Sequence, residues 1–311
     1  MDALAGMLDG VRARGAFVLR LSLDPPWSMR VQDEAPLTVI CQTLGRAVIT
    51  SEGDRIWLDP GDVALARGTR HYQFADHPDT VPQVVIHPGQ RCTTLRGDDL
   101  RFDMAVGVRT WGNSASGACR AVIGAYEGRS EVGTRLLDVL PPVLVLRHGD
   151  WDTSLVDLLS TEAGRDRDGQ EAYLDRLLDL LLIDALRTWF DRADNAPRWW
   201  HASKDDLVGP ALRLIYHNPA HPWTVANLAA AVGSSRAAFA RRFADAVGEP
   251  PIAFLTSWRL ALAADLLSSG EHTLTAVARQ VGYATPFAFS SAFKRAYGVS
   301  PSAHRALIKR A

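Results

Sequence analysis

Along the first half of the chain, short apolar runs alternate with clusters of Gly, Pro and Asp. Residues 37–41, 46–50, 55–58, 72–74, 84–86 and 119–126 read as strands, because β-branched and aromatic residues suit a pleated, half-buried surface. Ser51-Glu52-Gly53-Asp54 is a hairpin turn, and 58–65 is a turn feeding another strand. Strands this short, punctuated this often, predict a small antiparallel barrel or sandwich. After Leu140-Pro141-Pro142 the period changes. Residues 152–162 and 171–192 show helical spacing, with Leu174, Leu177, Leu178, Leu181, Leu182, Ala185, Leu186 and Trp189 at three- and four-residue steps. Such a wide apolar face covers the β-rich part, and what is left of it is expected to meet a second copy of the chain, the alternative being packing within one chain only. Asp194-Asn195-Ala196-Pro197 reads as a linker, although the Trp199-Trp200 pair beyond it calls for an anchored position. Everything after it is helical by period.

The last third contains a repeat. Residues 228–243 and 277–295 carry the same pattern, with Gly233 and Gly282 in corresponding places. Each is followed by a second glycine (Gly248, Gly298) and then by proline (Pro250, Pro301). In each copy a short helix ends at a glycine able to take positive φ. A good helix-start residue follows: Ser235 in the first copy, Thr285 with Pro286 in the second. The next helix buries Phe239 with Phe243, or Phe289 with Phe293, and leaves its other face free. Thr224 and either Thr273 or Thr275 suit the caps of the preceding helices. Between the copies, 251–267 predicts a long connecting helix. This is helix-turn-helix chemistry, and two such units reading one face of a duplex need a separation of about 34 Å.

Charge agrees. The 311-residue chain has 34 Lys/Arg against 35 Asp/Glu, a net charge of −1. Residues 206–311 hold 11 of the bases and 5 of the acids, so that third is +6 and the rest −7. A basic segment beside an acidic one suits a nucleic-acid reader joined to a part that must not adhere to DNA. No apolar run is long enough for a membrane span. Residues 1–14 lack the apolar core of a signal peptide, so a cytoplasmic address is expected.

The residues from about 208 to 305 resemble the DNA-binding domain of the AraC/XylS family. The resemblance is carried in the second copy by Ala278, Val281, Gly282, Tyr283, Phe289, Phe293, Lys294, Arg295, Gly298, Ser300, Pro301 and Arg305. Pro286-Phe287 and His304 depart from the usual pattern. The resemblance implies double-stranded DNA as partner, contacts with RNA polymerase, and no enzymatic role. Carried over by position, the DNA-facing residues are Ser235, Arg236, Ala237, Ala240 and Arg241, then Pro286, Phe287, Ser290 and Ser291, with Lys294 and Arg295 nearby. Arg241 suits guanine O6 and N7 or, equally, a phosphate; Arg236, Lys294 and Arg295 suit phosphates. The second helix offers a phenyl ring and hydroxyls, which read methyl groups or shape more than hydrogen bonds.

Asp59-Pro60-Gly61-Asp62 resembles the Pro-Gly-Asp turn of cupin barrels, which implies a cupin-type sensor domain. Catalytic cupins bring a His-x-His pair and a Glu before that turn, and 37–59 contains no histidine. His71, His77 and His87 alone make a poor ligand set, so neither metal nor cofactor is expected, and a cupin metalloenzyme with an appended DNA-binding domain is the alternative reading. Trp57, His71, Tyr72 and Phe74, with Trp27 and Trp111, are candidates to line a pocket for a small effector, against the simpler role of filling the core. Cys41, Cys92 and Cys119 are unpaired by pattern and offer redox sensing as the competing input.

The expectation is thus an α+β chain. Residues 1–195 form a cupin-like sensor and dimerisation domain, with a β-barrel at about 15–140 and helices at about 151–192. A linker spans 196–205, and 206–311 is an all-α DNA-binding domain with two helix-turn-helix units. The whole is a homodimeric, sequence-specific transcription regulator answering a small molecule or a redox signal. Whether it activates or represses is open.

Overall fold

The computed structural model describes residues 3–8, 16–68, 70–128, 130–192, 196–270 and 272–308. They form two compact units: a β-rich one of Arg12–Gly128 and Leu137–Asp191, and a helical one of Met1–Val11, Arg129–Leu136 and Arg192–Ala311.

The β-rich unit has thirteen strands among the described residues: β1 (Phe17–Leu23), β2 (Ser28–Val31), β3 (Leu37–Leu44), β4 (Ala47–Ser51), β5 (Asp54–Leu58), β6 (Val63–Arg67), β7 (Tyr72–Ala75), β8 (Val84–His87), β9 (Arg91–Thr94), β10 (Ala105–Gly107), β11 (Thr110–Trp111), β12 (Cys119–Tyr126) and β13 (Val143–Leu146). Seven form one sheet in the order β10-β11-β1-β12-β3-β6-β13, and six the other, β5-β4-β7-β2-β8-β9. The expected barrel is therefore two separate sheets, with no closed barrel among the described residues. A barrel needs an unbroken ladder. Here the three residues of β10 and the two of β11 end one sheet, and β10 pairs with β11 alone. Between the sheets lies a core including Trp27, Leu58, Phe74 and Trp111. The 51–54 turn is as the sequence predicts: Ser51 pairs with Asp54, and Glu52 (φ 52) and Gly53 (φ 94) both take the positive φ of a two-residue hairpin loop.

The Pro-Gly-Asp turn ties strands together. Buried Asp62 accepts from the Asp59 amide (3.0 Å), the His148 amide (2.7 Å) and Arg147 Nη1 (2.8 Å). Gly61 has φ +90, and a Cβ there would lie 2.4 Å from His148 Nδ1. Helices α3 (Ser154–Ala163) and α4 (Gln170–Arg192) complete the unit. α4 comes so close to β12 that a Cβ on Gly124 would lie 2.5 Å from Leu178 Cδ1, and Tyr126 Oη donates to the Leu178 carbonyl at 3.1 Å.

The helical unit begins with α1 (Ala3–Leu8), whose Leu4, Met7 and Leu8 are buried and whose Gly6 lies against the Tyr216 ring. α2 (Glu131–Leu137) starts on a remote cap. Asp265 accepts from Ser130 Oγ (2.7 Å), the Glu131 amide (2.6 Å) and the Val132 amide (3.3 Å). Burial raises the Asp265 pKa despite these hydrogen bonds. Then come α5 (Arg198–Lys204), α6 (Val208–His217), α7 (Val225–Ala231), α8 (Arg236–Val247), α9 (Pro251–Ser268), α10 (Leu274–Gln280), α11 (Pro286–Tyr297) and α12 (Pro301–Ile308). The stretch 196–205, expected as a linker, contains α5, with Trp199 and Trp200 buried.

Candidate nucleic-acid interface

The two repeats adopt one local geometry. In the first, Thr224 caps α7 by accepting from the Asn227 amide, and Asn227 Oδ1 in turn accepts from the Thr224 amide at 2.7 Å. Thr273 caps α10 by accepting from the Ala276 amide at 3.2 Å, so of Thr273 and Thr275 it is the former that caps. Each first helix closes with the same bond: the Ser234 amide donates to the Ala229 carbonyl at 2.9 Å, and the Tyr283 amide to the Ala278 carbonyl at 2.8 Å. This six-to-one closure requires a left-handed residue just before the donor. Gly233 (φ +68) and Gly282 (φ +81) supply it.

The second helices start on Ser235, which accepts from the Ala238 amide at 3.3 Å, and on Thr285, which accepts from the Ala288 amide at 3.1 Å. Both end on left-handed glycines, Gly248 and Gly298. Phe239 and Phe243, like Phe289 and Phe293, are fully buried, with ring centroids 5.6 Å apart in each pair. Burying residues i and i+4 turns the opposite face outward. On α8 that face exposes Arg236, Ala237 and Arg241, with Ala240 half-buried and the cap Ser235 exposed. On α11 it exposes Pro286, Phe287 and Ser291, with Ser290 half-buried and Lys294 and Arg295 exposed near the helix end. Two adjacent arginines differ in partner. Arg242 reaches back to Asp205 (Nη2–Oδ2 2.9 Å), which itself caps α6 through the Leu207 and Val208 amides, both at 2.9 Å. Burial acts to raise the Asp205 pKa, but the hydrogen bonds from Val208, Arg242 and Leu207 outweigh it and hold the carboxyl below its ordinary value.

Comparison with known proteins agrees with this geometry. Residues 2–191 match the cupin family and 228–306 a helix-turn-helix domain. A putative AraC-like transcription regulator of Streptomyces lividans is 30% identical over 98% of this chain and 98% of its own length. The chain belongs to the AraC family of transcription regulators, with a cupin-type N-terminal domain. A second AraC-like regulator, from Streptomyces antibioticus, is 36% identical over 58% of this chain and 62% of its own. The DNA-binding domain of AdpA, solved with a target DNA, is 31% identical over 34% of this chain and 95% of its own, with a TM-score of 0.32. The fold expected from the sequence, a β-rich cupin domain followed by a helix-turn-helix domain, is that of this AraC-family regulator.

Of the residues named for an effector pocket, Trp57, His71, Tyr72 and Phe74 do not come together, and Trp27 is core, while Trp111 lines a larger cavity. Phe74 is core, edge-on to Trp27 at 5.2 Å. Tyr72 shares its face of β7 and packs on the same core. Trp57 alternates with Ile56 and Leu58, which join that core, so it lies on the other face of its sheet, under Arg46 at 4.3 Å. His71 and Tyr72 alone share a shallow hollow of about 330 Å³. A larger cavity, about 620 Å³, opens in the β-rich unit of the AraC-family chain and is lined by Leu19, Cys92, Arg101, Arg109, Trp111 and Leu174 among others. Its Leu19, Cys92 and Trp111 also pack on the core between the sheets, which hydrophobic alternation alone does not reveal.

All three thiols are unpaired. Burial pushes the Cys41 thiol up to about 12. It pushes Cys92 up to about 11, with Asp99 adding to the shift and Arg101 opposing it. Burial raises Cys119 as well, against a hydrogen bond from Gln42. Among the described residues no three His, Cys, Asp or Glu side chains gather as a metal site, and no helix is long and apolar enough to cross a membrane.

Proposed function

We propose that the chain is a cytoplasmic, homodimeric regulator that reads specific double-stranded DNA through α8 and α11 and answers a small effector held in its β-rich unit. It does no catalysis of its own. The observation that carries the reading is the pair of outward faces left by the buried phenylalanine pairs, one lined by Arg236 and Arg241, the other by Phe287 and Ser291. A helix face of this size fits the major groove, and the base edges there distinguish all four pairs.

Effector binding is supported by the cavity of about 620 Å³, a size suited to a small ligand. The raised thiols favour that input over redox sensing, since the thiolate is the reactive form. Dimerisation is supported by α4, whose outer side exposes Tyr173 and Leu180 one heptad apart, beside half-buried Ile183. Family membership supports activation through contact with RNA polymerase, with repression as the alternative sign. An effector acts only if it binds two arrangements of the dimer unequally.

The test is binding of the purified full chain to a fragment of its own upstream region, with random competitor, at two salt concentrations. Preference for the fragment that persists at the higher salt is expected. Binding without preference that collapses with salt leaves phosphate attraction alone and sinks the reading.

A further inference from the structure

We infer that Phe287 reads the 5-methyl group of thymine, so that the element bound by α11 is a thymine-bearing box while the element bound by α8 is read by arginine. The inference deepens the proposed function and rests on it.

Phe287 is 82% exposed, although Phe289 and Phe293 of the same helix are fully buried. Helical geometry explains the contrast. Phe287 stands two residues, roughly 200°, from Phe289 and so projects from the opposite side, at the second position of α11. A ring so exposed is costly in water and gains by covering. Its neighbours at the start of the helix are uncharged: Ala284, Thr285, Pro286, Ala288 and Ser291 are all exposed. Along α11 itself the first cations, Lys294 and Arg295, come seven and eight residues later, roughly 10 Å along the helix.

The two repeats make the comparison internal. Aligning Ser235 with Thr285 and Gly248 with Gly298 sets Arg236 against Pro286, Ala237 against Phe287 and Arg241 against Ser291. One helix presents two guanidinium groups, and the other a ring with no hydrogen-bonding atom. A phenyl ring laid on a polar base edge strips its water and returns nothing. The major groove offers one apolar group, the thymine methyl.

The test uses the intact protein and a duplex recovered from random DNA by repeated selection. Thymines are then replaced singly by uracil, which removes the methyl and nothing else. Wild type is expected to lose about fourfold in affinity (~0.8 kcal/mol) at one or two positions of one box. In Phe287→Ala, which keeps its melting temperature because the ring is exposed, those substitutions should change nothing. Uracil tolerated everywhere by wild type, or penalties of equal size in the variant, overturn the inference. So does a loss of DNA bending in Phe287→Ala without any uracil effect, which marks a wedge between base steps. A wild type that selects no sequence at all sinks the proposed function itself, and a wild type that selects one while ignoring uracil sinks only this inference.

Discussion

Arg259, midway along α9, donates through Nε to the Pro219 carbonyl at 2.7 Å and through Nη2 to the His221 carbonyl at 2.8 Å. It thereby binds the helix between the two repeats to the loop that enters the first. The same loop meets the second repeat, since a Cβ on Gly282 would lie 2.6 Å from the Ala220 carbonyl and 2.8 Å from Arg259 Nη2. Arg259 is thus a strut holding both repeats in one geometry. Arg259→Met keeps the stem and loses both bonds, at a cost of about 2 kcal/mol in equilibrium denaturation. Affinity for DNA carrying both boxes should fall more than affinity for either box alone; equal losses would assign Arg259 to folding only.

The two turn glycines should respond unequally to alanine. Gly233 has open space where a Cβ would go, so Gly233→Ala carries only the left-handed penalty, about 1 kcal/mol. Gly282→Ala adds the clash with the Ala220 carbonyl and should cost about 3 kcal/mol. Thermal unfolding of the two variants side by side checks the order. Equal shifts would mean that the Ala220 loop yields freely.

Neighbouring arginines separate DNA reading from folding. Arg241→Ala is expected to weaken binding to the selected duplex by about 1–3 kcal/mol and to relax one base position, with stability unchanged. Loss of equal size on random DNA would make Arg241 a phosphate contact. Arg242→Ala should instead lower the melting temperature, because it removes the partner of Asp205.

That pairing has a pH signature. The Asp205 carboxyl lies below its ordinary value in the folded chain, so its contribution is complete above the unfolded value, about 3.9, and is lost as pH falls through the folded one. Asp205→Asn should therefore melt below wild type at pH 7, with the gap narrowing below about pH 4. A gap constant down to pH 3 would show that the charge contributes nothing.

The thiols should be slow. With Cys41 pushed up to about 12 and Cys92 to about 11, iodoacetamide at neutral pH should label the native chain far more slowly than the denatured one, in which all three cysteines react. Peroxide should leave DNA affinity unchanged. Fast labelling of one native cysteine would restore redox sensing as the input.

Much of the interface was legible in the chain because it is built from near neighbours. Ser235 caps a residue three positions on, Gly233 closes a bond five residues long, and Phe239 meets Phe243 one turn away. The strands at 37–58 were equally readable, since alternation and the Glu52-Gly53 turn are local. Less readable were β1 and β13, whose place depends on β12 and β6, far off in sequence. The same holds for the effector candidates. Period two predicts that Trp57 and Phe74 alternate within their strands, but not which faces become core, and they fell on opposite sides.

What the sequence by itself determined is therefore the repeated helix-turn-helix, its caps, its buried phenylalanines and the contrast between an arginine-bearing and a phenylalanine-bearing helix, because dihedral preference and hydrogen bonding within half a dozen residues suffice for them. Tertiary structure alone decided that Ala3–Leu8 joins the helical unit through the Tyr216 ring, that Asp265 caps a helix 134 residues earlier, that Arg242 is engaged by Asp205 while Arg241 faces outward, and that the strands form two sheets and no barrel. Each of these depends on which distant surfaces exclude water from one another, and short-range periodicity does not encode that choice.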